Sequence, residues 1–159
     1  MALVLPMLII LLFGGLEGGY YLWSEHKVLK AVRDGARYAS RQPFEFDDGT
    51  GPAATFDCGN LTVADSAIET NIMNVTRTGT IDGSGQPKIP SWTTNAGLTV
   101  TVAACDATTA TGLYKEFPDG APIVRVTADV TYPSLFFNLG FATSGLSLRA
   151  SSEAAVMGI

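Results

Sequence analysis

A long apolar segment near the amino end, Ala2 to Trp23, constrains what this 159-residue chain can fold into. Its 22 residues are apolar or glycine apart from Pro6, Glu17 and two tyrosines. Because an α-helix rises 1.5 Å per residue, a helix of this length reaches about 33 Å, enough to cross the hydrocarbon core of a bilayer. No basic residues precede the run and no small-residue cleavage site follows it. The segment is therefore predicted to be a retained membrane anchor rather than a removed signal peptide.

Four glycines and one carboxylate interrupt the apolar run. Gly14 and Gly18, and likewise Gly15 and Gly19, have the small-xxx-small spacing that lets two helix backbones approach closely. Glu17 lies among them, and an ionisable side chain at membrane depth usually faces protein partners rather than lipid. We predict that these five residues form a helix-assembly site, either a tight helix crossing or a local unwinding, where Glu17 meets a cationic or hydrogen-bonding group of a neighbouring chain. The alternative is a carboxylate solvated near the outer headgroups.

The next segment, Ser24 to Arg41, has the pattern of an amphipathic helix. Its apolar residues fall at helical spacing on one stripe, and its basic residues recur every three or four positions on another face. The stripe consists of Val28, Leu29, Val32, Ala36 and Ala39, and the basic residues are Lys27, Lys30, Arg33, Arg37 and Arg41. We therefore predict one continuous helix of about 40 residues, with residues 1–41 forming anchor and stem and residues 42–159 forming a globular domain with one core.

Charge is distributed unevenly between these two regions. Residues 1–41 carry a net charge of +2, whereas residues 42–159 carry −7. An acidic domain is a poor binder of nucleic acid. By the positive-inside rule, the five basic residues of the stem would place the domain in the cytoplasm, which conflicts with export of a domain whose two cysteines favour a disulfide. We favour export.

Cys58 and Cys105 are the only cysteines, and no CxxC motif is present. With a single histidine, His26, the sequence offers neither a zinc site nor a thioredoxin-like motif. A Cys58–Cys105 disulfide, formed in an oxidising compartment, is favoured over two buried thiols. Such a bond contributes about 4 kcal/mol in the chain-entropy treatment.

The distal region combines one helix with several strands. Residues 42–60 are predicted to form a loop, because Pro, Gly and Asp are frequent and no period is visible. A second helix is predicted to open at Thr62, with Asp65 as a weak capping-box partner, and to end at Gly79. Its stripe toward the sheet would be Ala64, Ile68, Ile72 and Val75.

From Gly79 onward the apolar residues alternate with polar ones, which predicts strands. The three predicted strands are Leu98–Ala103, Ile123–Tyr132 and Leu146–Ser151, with Cys105 to Pro122 as a long hairpin connection. The aromatic stretch Leu135–Phe141 is interpreted as a loop that plugs the end of the core, in preference to a tip that dips into the membrane.

No catalytic arrangement is visible in the sequence. The chain lacks a G-x-S-x-G motif and a phosphate loop, and its Asp-Gly clusters have the character of ordinary turns rather than calcium loops. An enzyme is not expected, and neither a metal nor a cofactor is predicted.

Two motifs in the long helix resemble a known family. Gly14, Glu17 and Gly19 form a G-x-x-E-x-G element after an ALVLP start, and the segment 33–38 reads R-D-G-A-R-Y. Both are similar to the amino-terminal helix of the TadE-like pseudopilins of the tight-adherence (Tad, type IVc) pilus system. The resemblance implies a pilin-like α+β fold, in which a long amino-terminal helix lies on an antiparallel sheet of three or more strands with a second helix.

The resemblance also implies a function by assembly rather than by chemistry. The chain would be a minor pilin or pseudopilin that joins other pilin subunits through its amino-terminal helix, in a filament for surface adhesion. It would lie in the bacterial inner membrane before assembly and in an extracellular pilus afterwards. The alternative from another class is a membrane-tethered extracytoplasmic binding module that enters no filament.

Family members carry a basic leader, a cleavage glycine and a following Glu before the ALVLP element. Met1 falls where the residue after that Glu would stand. Either the numbered chain begins late relative to such a leader, or its export signal differs from the family pattern; we favour the first. A basic leader would hold the amino end in the cytoplasm and remove the conflict with the positive-inside rule.

Overall fold

The computed structural model of the protein describes residues 4–42, 56–57, 60–106, 121–136 and 145–157. It confirms the predicted α+β arrangement of a long amino-terminal helix, a second helix and a three-stranded antiparallel sheet. In chain order the elements are α1 (Val4–Ala39), β1 (Phe56–Asp57), β2 (Thr62–Val63), α2 (Ser66–Thr78), β3 (Leu98–Asp106), β4 (Ala121–Thr131) and β5 (Ser147–Ala155).

Helix α1 is continuous over 36 residues. Its carboxyl half packs across β4 and β5, with α2 beside it. Four of the five residues of the predicted apolar stripe are buried there, namely Val28, Val32, Ala36 and Ala39, whereas Leu29 is only partly buried. The opposite side carries exposed Lys30, Arg33, Arg37 and Arg41. The carboxyl half of α1 is thus part of the hydrophobic core. The predicted domain boundary after residue 41 stays a prediction.

The main sheet has the strand order β3–β4–β5, and both pairs are antiparallel. Alternate side chains of the central strand are buried, as the period of two predicts; they are Val124, Val126, Ala128 and Val130. Strands β3 and β5 extend beyond the alternating segments of the sequence, to Asp106 and Ala155. These additional residues are paired with β4, since Asp106 pairs with Ala121 and Ala155 pairs with Ile123.

Two predictions in the region before α2 are wrong. The predicted loop 42–60 contains β1, and the predicted helix start at Thr62 is instead strand β2, which pairs with β1. The helix begins at Ser66, because Asp65 is its N-cap and its Oδ1 accepts hydrogen bonds from Ala67 N at 2.8 Å and Ile68 N at 3.2 Å. The predicted end is confirmed, since Gly79 adopts a left-handed conformation with φ of 85°.

The buried face of α2 also differs from the predicted stripe. Ile72 and Thr76 are buried, whereas Ala64 lies before the helix and is exposed. Thr76 is accommodated because its hydroxyl donates to the Ile72 carbonyl oxygen at 2.7 Å. The hydroxyl group of Thr76 is therefore hydrogen-bonded within its own helix, which lowers the cost of its burial.

Candidate interaction site on the amino-terminal helix

The amino half of α1 projects its apolar side chains into solvent. Every large aliphatic residue from Val4 to Leu16 is exposed in the single chain. Within the described residues, α1 is the one helix that is long and apolar enough to cross a membrane. This arrangement is compatible with membrane anchoring, because a helix face without protein contacts is suited to lipid or to other helices.

The four glycines of the predicted assembly site lie on this exposed half. Gly14, Gly15, Gly18 and Gly19 are all solvent-accessible, and a Cβ added to any of them would meet no atom of the described part of the chain within 4 Å. The helix is regular through all four positions in the single chain. Among the described residues, no neighbour therefore requires glycine at these positions, and the predicted role in helix assembly stays a prediction.

Glu17 is buried although its neighbours along the helix are exposed. It is only 8% accessible. Its Oε2 accepts a hydrogen bond from the backbone N–H of Leu135 at 3.2 Å, and its backbone oxygen accepts one from the Tyr132 hydroxyl at 3.1 Å. Its Oε1 is buried without a hydrogen-bond partner among the described residues. In the single chain, Glu17 thus contacts the segment 132–136 of its own globular domain. We call residues 132–136 the clasp.

Aromatic contacts extend the clasp along the helix. The ring of Tyr132 lies 5.1 Å from that of Tyr21, and the ring of Phe136 lies 4.9 Å from that of Phe13 in an edge-on arrangement. Of the predicted core plug Leu135–Phe141, only the first two residues are described, and Phe136 packs on the exposed half of α1 rather than in the core.

Burial raises the pKa of the Tyr132 hydroxyl well above its ordinary value of 10, and the Glu17 carboxylate adds to the effect. The hydroxyl therefore stays protonated at physiological pH and remains a hydrogen-bond donor. Sequence reasoning missed this contact, because Tyr132 and Glu17 are separated by 115 positions. The available signal was the aromatic stretch that follows the middle strand.

The R-D-G-A-R-Y segment lies where α1 meets α2. Gly35 is buried, and a Cβ at this position would collide with the Thr76 hydroxyl oxygen. Asp34 forms an ion pair with Lys88 Nζ at 2.9 Å. Arg33 and Arg37 point to solvent. The glycine of the motif thus permits close helix packing, and its aspartate joins α1 to the segment that follows α2.

The predicted disulfide falls partly outside the described residues. Cys58 is not among them, whereas Cys105 is partly buried and packs against the hydrophobic core. The Cys58–Cys105 bond stays a prediction.

The described surface brings no catalytic group of side chains together. Among the described residues, no group of three or more His, Cys, Asp or Glu side chains is placed to hold a metal ion. One shallow depression, of about 270 Å³, is lined by Ser91, Thr93 and Asp129 among others. The Asp129 carboxylate there already accepts a hydrogen bond from Arg149 Nε at 2.7 Å. The expectations about enzyme activity, metal and cofactor therefore stay sequence-based.

Comparisons with known proteins agree with the resemblance in the helix. Searches among curated proteins and among solved structures gave no match. A family model described as TadE-like protein matches residues 1–37, which include Glu17, the four exposed glycines and Gly35. The resemblance inferred from the two motifs is therefore confirmed for the amino-terminal helix, whose residues 1–37 are similar to TadE-like proteins.

Proposed function

We propose that this protein is a pilin-like structural subunit, a minor pilin or pseudopilin, of a Tad-type pilus apparatus. One observation carries the proposal: within the segment that matches TadE-like proteins, the amino half of α1 is apolar and exposed while the carboxyl half is built into the domain. A helix divided in this way can hold the domain with one half and enter a membrane or a helix bundle with the other.

The glycines favour helix bundling over simple anchoring. Each glycine in a helix interior costs about 1 kcal/mol relative to alanine. Lipid contact alone does not require this cost, and no atom of the described residues occupies the space beside Gly14, Gly15, Gly18 or Gly19. A neighbouring helix that approaches closely would use that space. The glycine surface is therefore proposed as the contact between subunits.

Glu17 is proposed to join this contact in the filament. Its Oε1 is the oxygen left without a hydrogen bond in the described part of the single chain. A buried acceptor without a partner is unfavourable by about 1–3 kcal/mol, so a cationic or hydrogen-bonding group of a neighbouring subunit would be stabilised there. Because Oε1 is buried, such a group reaches it only when the residues that cover it move.

The proposed location follows from this assembly. The subunit would lie in the bacterial inner membrane with its domain outside the cytoplasm, and would then move into an extracellular pilus used in adhesion. Its partners would be other pilin subunits, of the same or different kind. It would act through assembly and not as an enzyme, and the predicted Cys58–Cys105 bond would suit an exported domain.

The test compares two changes at the proposed contact with a matched change beside it. Glu17→Gln and Gly18→Leu are expected to lower incorporation into sheared pili at least tenfold, while Glu25→Gln, an exposed carboxylate two turns further along the helix, leaves it unchanged. Immunoblots of sheared and membrane fractions measure incorporation, and thermal unfolding verifies that the domain keeps its midpoint. Unchanged incorporation in both variants would contradict the role of the contact. A wild-type protein that stays in the membrane fraction after shearing would instead favour the tethered binding module.

A further inference from the structure

The clasp runs along α1 toward its amino end. Tyr132 contacts Tyr21, Leu135 bonds to Glu17, and Phe136 contacts Phe13. The three contacted helix positions are four residues apart, so they lie on one face of the helix. At 1.5 Å per residue, the clasp covers about 12 Å of the helix axis in the direction of the apolar half.

Side chains typical of a membrane interface lie on α1 between residues 20 and 27, closer to its carboxyl end than Glu17 and Phe13. Trp23 is 48% exposed, and Lys27 Nζ lies 3.8 Å from the centre of its ring. Tyr20 also stacks on Trp23, with the two ring centres 5.4 Å apart. Aromatic residues and lysines with apolar stems are enriched at the headgroup level of bilayers. Phe13 lies about 15 Å along the axis from Trp23, in the direction of the apolar half.

We propose that Leu135 and Phe136 of the clasp insert among the lipid acyl chains, in the leaflet on the side of the globular domain. Leu135 is 53% exposed, so its side chain is available to lipid. Lipid is favoured over water around these two side chains, because the clasp extends the apolar surface of α1 on the amino-terminal side of Trp23 and Lys27. The globular domain thus contacts the membrane through the clasp as well as through α1.

Glu17 lowers the free-energy cost of this insertion, because a backbone N–H group that enters lipid without a hydrogen-bond partner is strongly unfavourable. Glu17 Oε2 supplies the acceptor for the Leu135 N–H. In return, the clasp covers a carboxylate that would otherwise face lipid, which accounts for its burial in a stretch of exposed residues.

The depth of Leu135 can be measured in the full chain, reconstituted as monomers in phosphatidylethanolamine and phosphatidylglycerol vesicles. Leu135→Cys carries an environment-sensitive fluorophore, Ile81→Cys is the matched control at another exposed aliphatic side chain (52%), and the wild-type chain treated in the same way gives the background from native cysteines. We expect nitroxides on the acyl chains to quench the Leu135 label at least threefold more than a water-soluble quencher does, and the reverse at Ile81.

Two results would overturn the insertion. One is a Leu135 label that is quenched like the Ile81 label, which would place the clasp in water. The other is a Leu135 label shielded from both quenchers, which would mean that a second copy or another part of the protein covers it. Because the measurement requires no filament, its failure leaves the proposed pilus function untouched.

A second measurement avoids any substitution. An acyl-chain diazirine lipid, photoactivated in vesicles that contain the unmodified protein, is expected to leave adducts on Leu135 or Phe136 and none on Ile81. Peptide mass spectrometry locates the adducts. Adducts on the amino half of α1 with none in the clasp would rule out insertion, even if the labelled variant had lost its fold.

Discussion

The two halves of α1 have the same secondary structure and opposite environments. From Val4 to Leu16 the large aliphatic side chains are exposed, whereas between Val28 and Ala39 most of the apolar stripe is buried against the sheet and α2. Their glycines show the same contrast: Gly18 has open space around it, and Gly35 has none. The comparison teaches that helical pattern and residue type do not reveal what a helix face contacts.

Glu17 marks the boundary between the two halves. On its amino side the helix has few contacts with the domain, and the clasp supplies one of them through Phe136 and Phe13. On its carboxyl side, Tyr20 and Tyr21 already pack against the core. The clasp thus ties the boundary of the helix to the end of β4, and changes on either side of it should have different consequences.

The largest expected effect separates the two kinds of glycine. Gly35→Leu is expected to destabilise the domain by about 3 kcal/mol, because the added side chain collides with Thr76 and forces α1 and α2 apart. Gly18→Leu is the matched control and should not lower the free energy of unfolding, because leucine is a better helix former than glycine and has open space at this position. Denaturant unfolding in detergent measures both. Equal loss of stability in the two variants would break the comparison between the halves.

A smaller effect is expected at the boundary. Tyr132→Phe removes the hydrogen bond to the Glu17 carbonyl oxygen and should cost about 1 kcal/mol. Tyr20→Phe is the control, since Tyr20 packs beside the same ring without a hydrogen bond to Glu17. Thermal unfolding of the two variants, measured side by side, tests the difference. Indistinguishable midpoints would show that the hydroxyl does not hold the clasp on the helix.

The smallest effect is a dependence on pH. The pKa of Tyr132 is raised in the folded protein, so its contribution to stability is complete below the unfolded pKa of about 10 and declines as the pH rises above it. Wild type should therefore lose more stability than Tyr132→Phe between pH 9 and pH 11. Unfolding free energies at both pH values, compared between the two proteins, isolate this residue from the lysines that titrate in the same range. Parallel pH profiles would argue against a buried, protonated hydroxyl.

Much of the secondary structure could be predicted because its signals are local. The apolar run, the stripe of the stem and the alternation in β3, β4 and β5 follow from residue spacing within one element. The start of α2 could not be predicted in the same way, since Thr62 and Asp65 are both capping residues. Pairing of β2 with β1 takes Thr62 into a strand and leaves Asp65 as the cap.

The features of the candidate site also differ in whether the sequence alone could predict them. The sequence by itself determined that α1 is long, apolar in one half and amphipathic in the other, and that four glycines and Glu17 stand out within it, because these features depend only on composition and spacing along one helix. Only the tertiary structure decided that Gly35 is enclosed while Gly18 is open, and that the clasp covers Glu17. Those outcomes depend on segments far apart in the chain, whose contact is set by the packing of the whole domain and leaves no periodic trace in the sequence.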